Sequence, residues 1–134
     1  MIIPAQFREL LASTHNNSKL ILANEVFDKC LRAYPVDEWS LLIEKMKDKP
    51  QTSEAVKYFM RRVIGSGQAC EIDKQGRILV PSVLRSNAGL NSEIVIIGLG
   101  EKIELWDRNE YDRIVDPQKI NQDAMKEEFA KLVM

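Results

Sequence analysis

Apolar and polar residues alternate along Ala69-Cys70-Glu71-Ile72-Asp73, the period of a half-buried strand. Lys74-Gln75-Gly76 follows as a short loop in which Gly76 can take a positive φ, and Arg77 to Val80 reads as the returning strand of a hairpin. Pro81 starts a short helix at its first position and Gly89 ends it. The β-branched run Glu93 to Ile97 and the alternating Lys102 to Trp106 are two further strands, joined by a turn at Gly98-Leu99-Gly100. Asp107 with Glu110 three residues later has the form of a capping box. Asp116-Pro117 has the form of an N-cap and first position for a final helix to about Lys131.

The first part of the chain follows the same order. Lys19 to Ala23 and Lys29 to Tyr34 read as strands. Trp39, Leu42, Ile43 and Met46 then share one helical face, and Pro50 breaks the chain. A second helix is expected from about Ser53 to Ile64, with Ala55, Val56, Phe59, Met60 and Val63 inward and Gly65 as its C-cap. The last helix carries the stripe Met125, Phe129, Leu132, expected to rest on the body or to seal a subunit interface.

The parallel is a true internal repeat. Met1-Ile2-Ile3-Pro4-Ala5-Gln6-Phe7-Arg8 aligns with Ile78-Leu79-Val80-Pro81-Ser82-Val83-Leu84-Arg85 at an offset of 77 residues. Leu31-Arg32-Ala33-Tyr34 aligns with Ile103-Glu104-Leu105-Trp106, and Glu38-Trp39 with Glu110-Tyr111, at an offset of 72. The loop holding His15-Asn16-Asn17 takes up the difference. Two copies of one unit, each too small to bury a core alone, make an α+β fold of two ββαββ-type halves with flanking helices. The expected division is 1–35 for the first copy, 36–66 for a helical connector, 67–112 for the second copy and 113–134 for the C-terminal helix.

Composition narrows the function. In 134 residues, 45% hydrophobic and 29% charged, no apolar run is long enough for a transmembrane helix, and the N-terminus has no secretory pattern. A net charge of −1 argues against non-specific coating of DNA but leaves room for a local basic patch. Cys30 and Cys70 form no CxxC pair and read as buried free thiols of a cytoplasmic protein; with His15 as the single histidine, no metal set emerges. No GxSxG, HExxH or P-loop is present, so neither an enzyme nor a cofactor is expected.

The stretch Asp73-Lys74-Gln75-Gly76-Arg77-Ile78-Leu79-Val80-Pro81 resembles the signature of AbrB-type (SpoVT-AbrB) modules, and the tandem copies with helices between and after them resemble the MraZ family of bacterial regulators. The resemblance implies swapped-hairpin half-modules that form a pseudo-two-fold β-barrel. It also implies a ring-like homo-oligomer, double-stranded DNA with promoter repeats as partner, a place in the cytoplasm on the nucleoid, and control of a division or cell-wall gene cluster. Neither a membrane nor a small-molecule substrate is implied. Shifting Asp73 and Arg77 back by 77 residues puts the first copy's D-x-x-x-R loop ahead of Met1, so the first repeat is expected to be N-terminally incomplete.

In such modules the hairpin presents arginines to DNA. Carried over by position, Arg77 is the motif arginine, Arg85 is the basic residue of the short helix, and Arg8 is the repeat partner of Arg85; Lys74 and Gln75 lie in the loop. A guanidinium can bridge a guanine edge or a phosphate with paired hydrogen bonds, which a lysine cannot do. Asp73 and Gly76 are expected to orient the hairpin, and the Asp73–Arg77 pair either pins the turn, touches DNA, or does both. Lys57, Arg61 and Arg62 form a second basic cluster that reads as a solvated helix face, a phosphate contact or a subunit contact. Two other functions stay open: an AbrB-like antitoxin module of the MazE type, and an oligomer with impaired DNA binding.

Overall fold

A computed structural model of the chain describes residues 19–100 and 102–133. The repeat block Met1 to Arg8, Arg8 itself and the His15-Asn16-Asn17 loop lie outside the described residues. Strands β1 (Lys19–Asn24), β2 (Leu31–Pro35), β3 (Gln68–Glu71), β4 (Ile94–Leu99) and β5 (Lys102–Asp107) form one antiparallel sheet in the order β3-β1-β2-β5-β4. Between β2 and β3 come helices α1 (Val36–Lys47) and α2 (Glu54–Arg62). The short α3 (Ser82–Asn87) precedes β4, and α4 (Arg108–Ile114) and α5 (Gln122–Leu132) follow β5.

The two halves meet at the centre of this sheet. Leu31 pairs with Leu105, Arg32 with Glu104 and Ala33 with Ile103. With the repeat offset of 72, each of these residues faces the counterpart of its own mirror position, so the register is symmetric about the Arg32–Glu104 rung. At one edge β3, from the second copy, pairs with β1 of the first.

Period-2 alternation gives the sheet two apolar faces. Leu20, Leu22, Leu31, Ala33, Ile103 and Leu105 point to one side, where Ile78, Val80, Leu84 and Leu90 cover them. Each fully buried leucine there stabilises the fold by about 1.5–3 kcal/mol. Ile21, Ala23 and Tyr34 point to the other side and are covered by Trp39 of α1 and by Phe59 and Val63 at the end of α2. Helix α2 is held at its start by Ser53, whose hydroxyl accepts from the Val56 amide.

Several expectations need correction. Residues 77–80 keep the alternation of a strand, with Ile78 and Val80 buried and Leu79 86% exposed, but only Arg77 forms a bridge. A ladder needs a neighbour along its whole length, and among the described residues this segment has none. Pro81 is the N-cap of α3 and not its first residue, although Gly89 takes the expected positive φ of 62° after the helix. Gly65 does not cap α2 with a positive φ; Val63 is the C-cap and a 3-10 turn at Ile64–Ser66 continues the chain. Ala55 is exposed. β4 runs through Gly98 to Leu99, leaving Gly100 alone at a positive φ of 69°. Asp107 precedes α4 without a side-chain cap bond. Its carboxylate accepts from the amides of Asn91 (3.0 Å) and Ser92 (2.7 Å) and from the Ser92 hydroxyl (2.6 Å), fixing the entry to β4. Asp116-Pro117 caps a 3-10 turn, Pro117–Lys119, while Asn121 caps α5 by accepting from the Ala124 amide. The stripe Met125, Phe129, Leu132 does not rest on the body: no residue of α5 is buried.

Candidate nucleic-acid interface

The loop after β3 is built by one carboxylate. Asp73 Oδ1 accepts from the amides of Gln75 and Arg77, each at 2.9 Å, and Oδ2 accepts from Arg77 Nε at 3.3 Å. Two backbone bonds close the same turn, from the Asp73 amide to the Arg77 carbonyl and from the Gly76 amide to the Asp73 carbonyl, both 2.9 Å. Gly76 sits at φ 79°, a left-handed conformation costly to residues with a Cβ. The Arg77 amide, helped by that of Gln75 and by the Arg77 guanidinium, holds the Asp73 carboxyl below the usual carboxylate range.

This arrangement both pins the turn and aims the arginine. Arg77 Nη2 also donates to Gln75 Oε1, so the guanidinium is fixed at two points while its side chain stays 54% exposed. Its remaining N–H groups have no protein partner among the described residues and are open to an anion or a base edge. Lys74 and Gln75 are exposed in the same loop, and Gly76 is buried beneath it. A shallow hollow of about 380 Å³, lined by Glu71, Asp73, Arg77, Ile78 and Leu79, lies beside the hairpin mouth. Arg85 projects exposed from the last turn of α3, where a cation also suits the helix end.

The second basic cluster, Lys57, Arg61 and Arg62, lines one open hollow of about 400 Å³ with Glu54 and Tyr58, but its members are engaged differently. Arg62 is turned inward: its Nε donates to the Glu25 carbonyl at 2.9 Å and its Nη2 to that of Asp28 at 3.4 Å, clamping the β1–β2 loop. Lys57 pairs with Glu54 at 3.5 Å on the helix surface. Arg61 is exposed and shares a cleft of about 270 Å³ with Val83, Leu84 and Asn87 of α3, so it borders the short helix that carries Arg85. Arg8 lies outside the described residues.

A cluster not singled out from the sequence surrounds the central rung. Glu25, Cys30 and Glu104 bring their side-chain ligand atoms within 4.8 Å of one another. Arg32 stands among them, with Nε 3.7 Å from Glu25 Oε2 and its guanidinium 4.6 Å from the Tyr34 ring centre. Trp106 Nε1 donates to Glu104 at 2.9 Å. Burial, then the nearby carboxylates, push the Cys30 thiol far up, and a thiol held protonated is a poor metal ligand. The resident cation is Arg32. The repeat offset of 72, which equates positions 32 and 104, is the sequence signal that marks this pair.

Comparison with known proteins shows what the chain is similar to. Residues 63–132, which include the hairpin loop, Arg85 and α5, match the family model of the MraZ protein, which carries the description antitoxin-like. The chain is similar to the transcriptional regulator MraZ of Acetivibrio thermocellus, at 36% identity over 98% of this chain and 88% of the relative. It is similar to that of Limosilactobacillus reuteri at 34% identity over 96% of this chain and 87% of the relative. It is also similar to that of Caldicellulosiruptor bescii, at 35% over 98% and 88% respectively.

Proposed function

The chain belongs to the MraZ family, and from that premise we propose that it is a sequence-specific DNA-binding regulator that meets promoter repeats through its Asp73–Arg77 hairpin. It is a transcriptional regulator of the MraZ type and not an enzyme. The observation that carries the DNA contact is the guanidinium of Arg77, exposed yet fixed in direction by Asp73 and Gln75. A pre-set fork loses little side-chain entropy when it grips a phosphate or a guanine edge. Lys74, Gln75 and Arg85 extend the contact, with Arg8 as the first-copy counterpart and Lys57 and Arg61 as outlying phosphate contacts. Arg62 serves the fold.

The proposal includes the wider arrangement. The halves 1–35 and 67–112 act as AbrB-like half-modules of a pseudo-two-fold barrel, joined by the 36–66 connector and followed by the 113–134 helix. Copies assemble into a ring on the nucleoid, in the cytoplasm, over a division or cell-wall gene cluster. No helix among the described residues is long and apolar enough to cross a membrane.

The test is a salt series of binding to a duplex carrying promoter repeats. Affinity is expected to fall steeply as salt rises, because released counterions drive the contact. Arg77→Ala is expected to weaken binding by roughly 1–3 kcal/mol and to relax base preference. Binding that ignores both salt and Arg77 would sink the proposal.

A further inference from the structure

We infer that the bare face of α5 docks, in a second copy of this chain, into the groove between α1 and α2. This rests on the ring assembly proposed above and names the surfaces that make it. The first observation is the helix itself. Met125, Phe129, Leu132 and Val133 are 41%, 51%, 76% and 78% exposed, and they lie within one broad face of α5. An apolar stripe on a helix that buries nothing is a surface awaiting a partner.

The second observation is a likeness between α5 and α2. Ala55-Val56-Lys57 of α2 has like residues 69 positions on in Ala124-Met125-Lys126, and Phe59 with Val63 has like residues 70 positions on in Phe129 with Val133, a likeness of residue type outside the 72-residue register. In the first half, Phe59 and Val63 are seated on Ile21, Ala23, Tyr34 and Trp39. Residues of the same kind in α5 are therefore built for burial. The matching seat in the second half is not open: Val95 and Trp106, the counterparts of Ile21 and Tyr34, are already buried while α5 stays bare.

The third observation is an acceptor of the right chemistry elsewhere on the chain. A mostly apolar groove of about 570 Å³ runs between α1 and α2, lined by Tyr34, Leu41, Leu42 and Phe59, with Arg32, Lys45 and Glu38 at its rim. Leu41 is 69% exposed there with no apolar cover. The α5 stripe is bordered by Glu128, which lies on the same side as Met125 and Leu132 at helical spacing. An acidic flank suits the exposed Lys45 at the rim.

A helix of one chain in a groove of the next is a head-to-tail contact, which propagates and closes into a ring when the rotation allows. One such contact is small and weak alone. Closure makes each copy both donor and acceptor, so a chain leaves only when two contacts break together.

The test uses two variants of the full chain, each at an exposed position so that the fold is kept. Phe129→Asp removes the donor helix and Leu41→Asp removes the acceptor groove. In sedimentation velocity, each variant alone is expected to be monomeric where the wild type assembles, with the assembly midpoint raised on the order of tenfold or more. Mixed together, they are expected to form a one-to-one dimer and stop, because one live helix meets one live groove. Variants that assemble like the wild type overturn the inference, and so does a mixture that stays monomeric, as when α5 folds back on its own chain or pairs with another α5. A regulator assembled through other surfaces would still bind DNA through Arg77. Measuring anisotropy on the same samples therefore separates a failure here from a failure of the DNA reading.

Discussion

In the first half of the chain, Trp39 is nearly buried against Tyr34, with ring centres 5.0 Å apart, and the end of α2 closes over the pair. Its counterpart in the second half, Tyr111, is half-buried, 6.3 Å from Trp106, and the helix that follows, α5, buries none of its residues. Two related halves have produced one seated layer and one unseated helix. In the first half the seat is fixed by what comes next along the chain. After α2, the chain enters β3, which pairs along β1 from Lys19↔Glu71 to Leu22↔Gln68 and ties the helix down from its far end. An amphipathic stripe decides that a helix has a side to bury; for α2 the paired strand decides where.

The largest effect expected from breaking this contrast is at Trp39. Trp39→Ala should cost about 3–5 kcal/mol in urea unfolding, because it opens a cavity under two helices, whereas Tyr111→Ala should cost about 1 kcal/mol. Equal losses would mean that the two halves are equally packed. Next comes Gly67, where an added methyl would collide with the Trp39 ring. Gly67→Ala should destabilise by about 1–3 kcal/mol, and Trp39→Leu in the same chain should recover part of it.

The strands were legible because alternation is a local property, and β1, β2, β4 and β5 fall within a few residues of where it places them. The turn after β3 was legible for the same reason. Asp73, Gly76 and Arg77 find one another across four residues, so residue type and spacing determine the turn. What depended on distant neighbours was not legible. Residues 77–80 alternate like a strand, yet among the described residues only Arg77 is in a bridge, since alternation reports burial and not pairing. Arg62 reads as part of a surface cluster, yet its guanidinium serves a carbonyl 37 positions away. Asp116 and Asn121 are both sound caps, and only the path of the chain decides that the 3-10 turn takes one and α5 the other.

Smaller effects sharpen the contrast further. Phe129→Ser should change the unfolding free energy of the isolated chain by under about 0.5 kcal/mol, since the ring touches no core; a larger loss would show that α5 is seated after all. The smallest signal is a titration at the hairpin. Asp73 has a folded value held below that of the unfolded chain, so its bonds are fully in place above the ordinary carboxylate range and are lost as pH falls through the lower value. The amide resonances of Gln75 and Arg77 should therefore hold steady from neutral pH to about pH 4 and move only below it. Movement near pH 6 would assign the turn to another group.

The rung that joins Arg32 to Glu104 carries a constraint that only a duplicated chain can satisfy. Were two identical halves to meet about that axis, position 32 would face itself, and either residue would confront its own charge, which is destabilising across a strand pair. Once both halves are written on one polypeptide, the two sides of the seam are free to differ, and here they carry opposite signs. Each half is thereby marked for the other and against its own kind. Excised as separate chains, the halves should pair unlike with unlike.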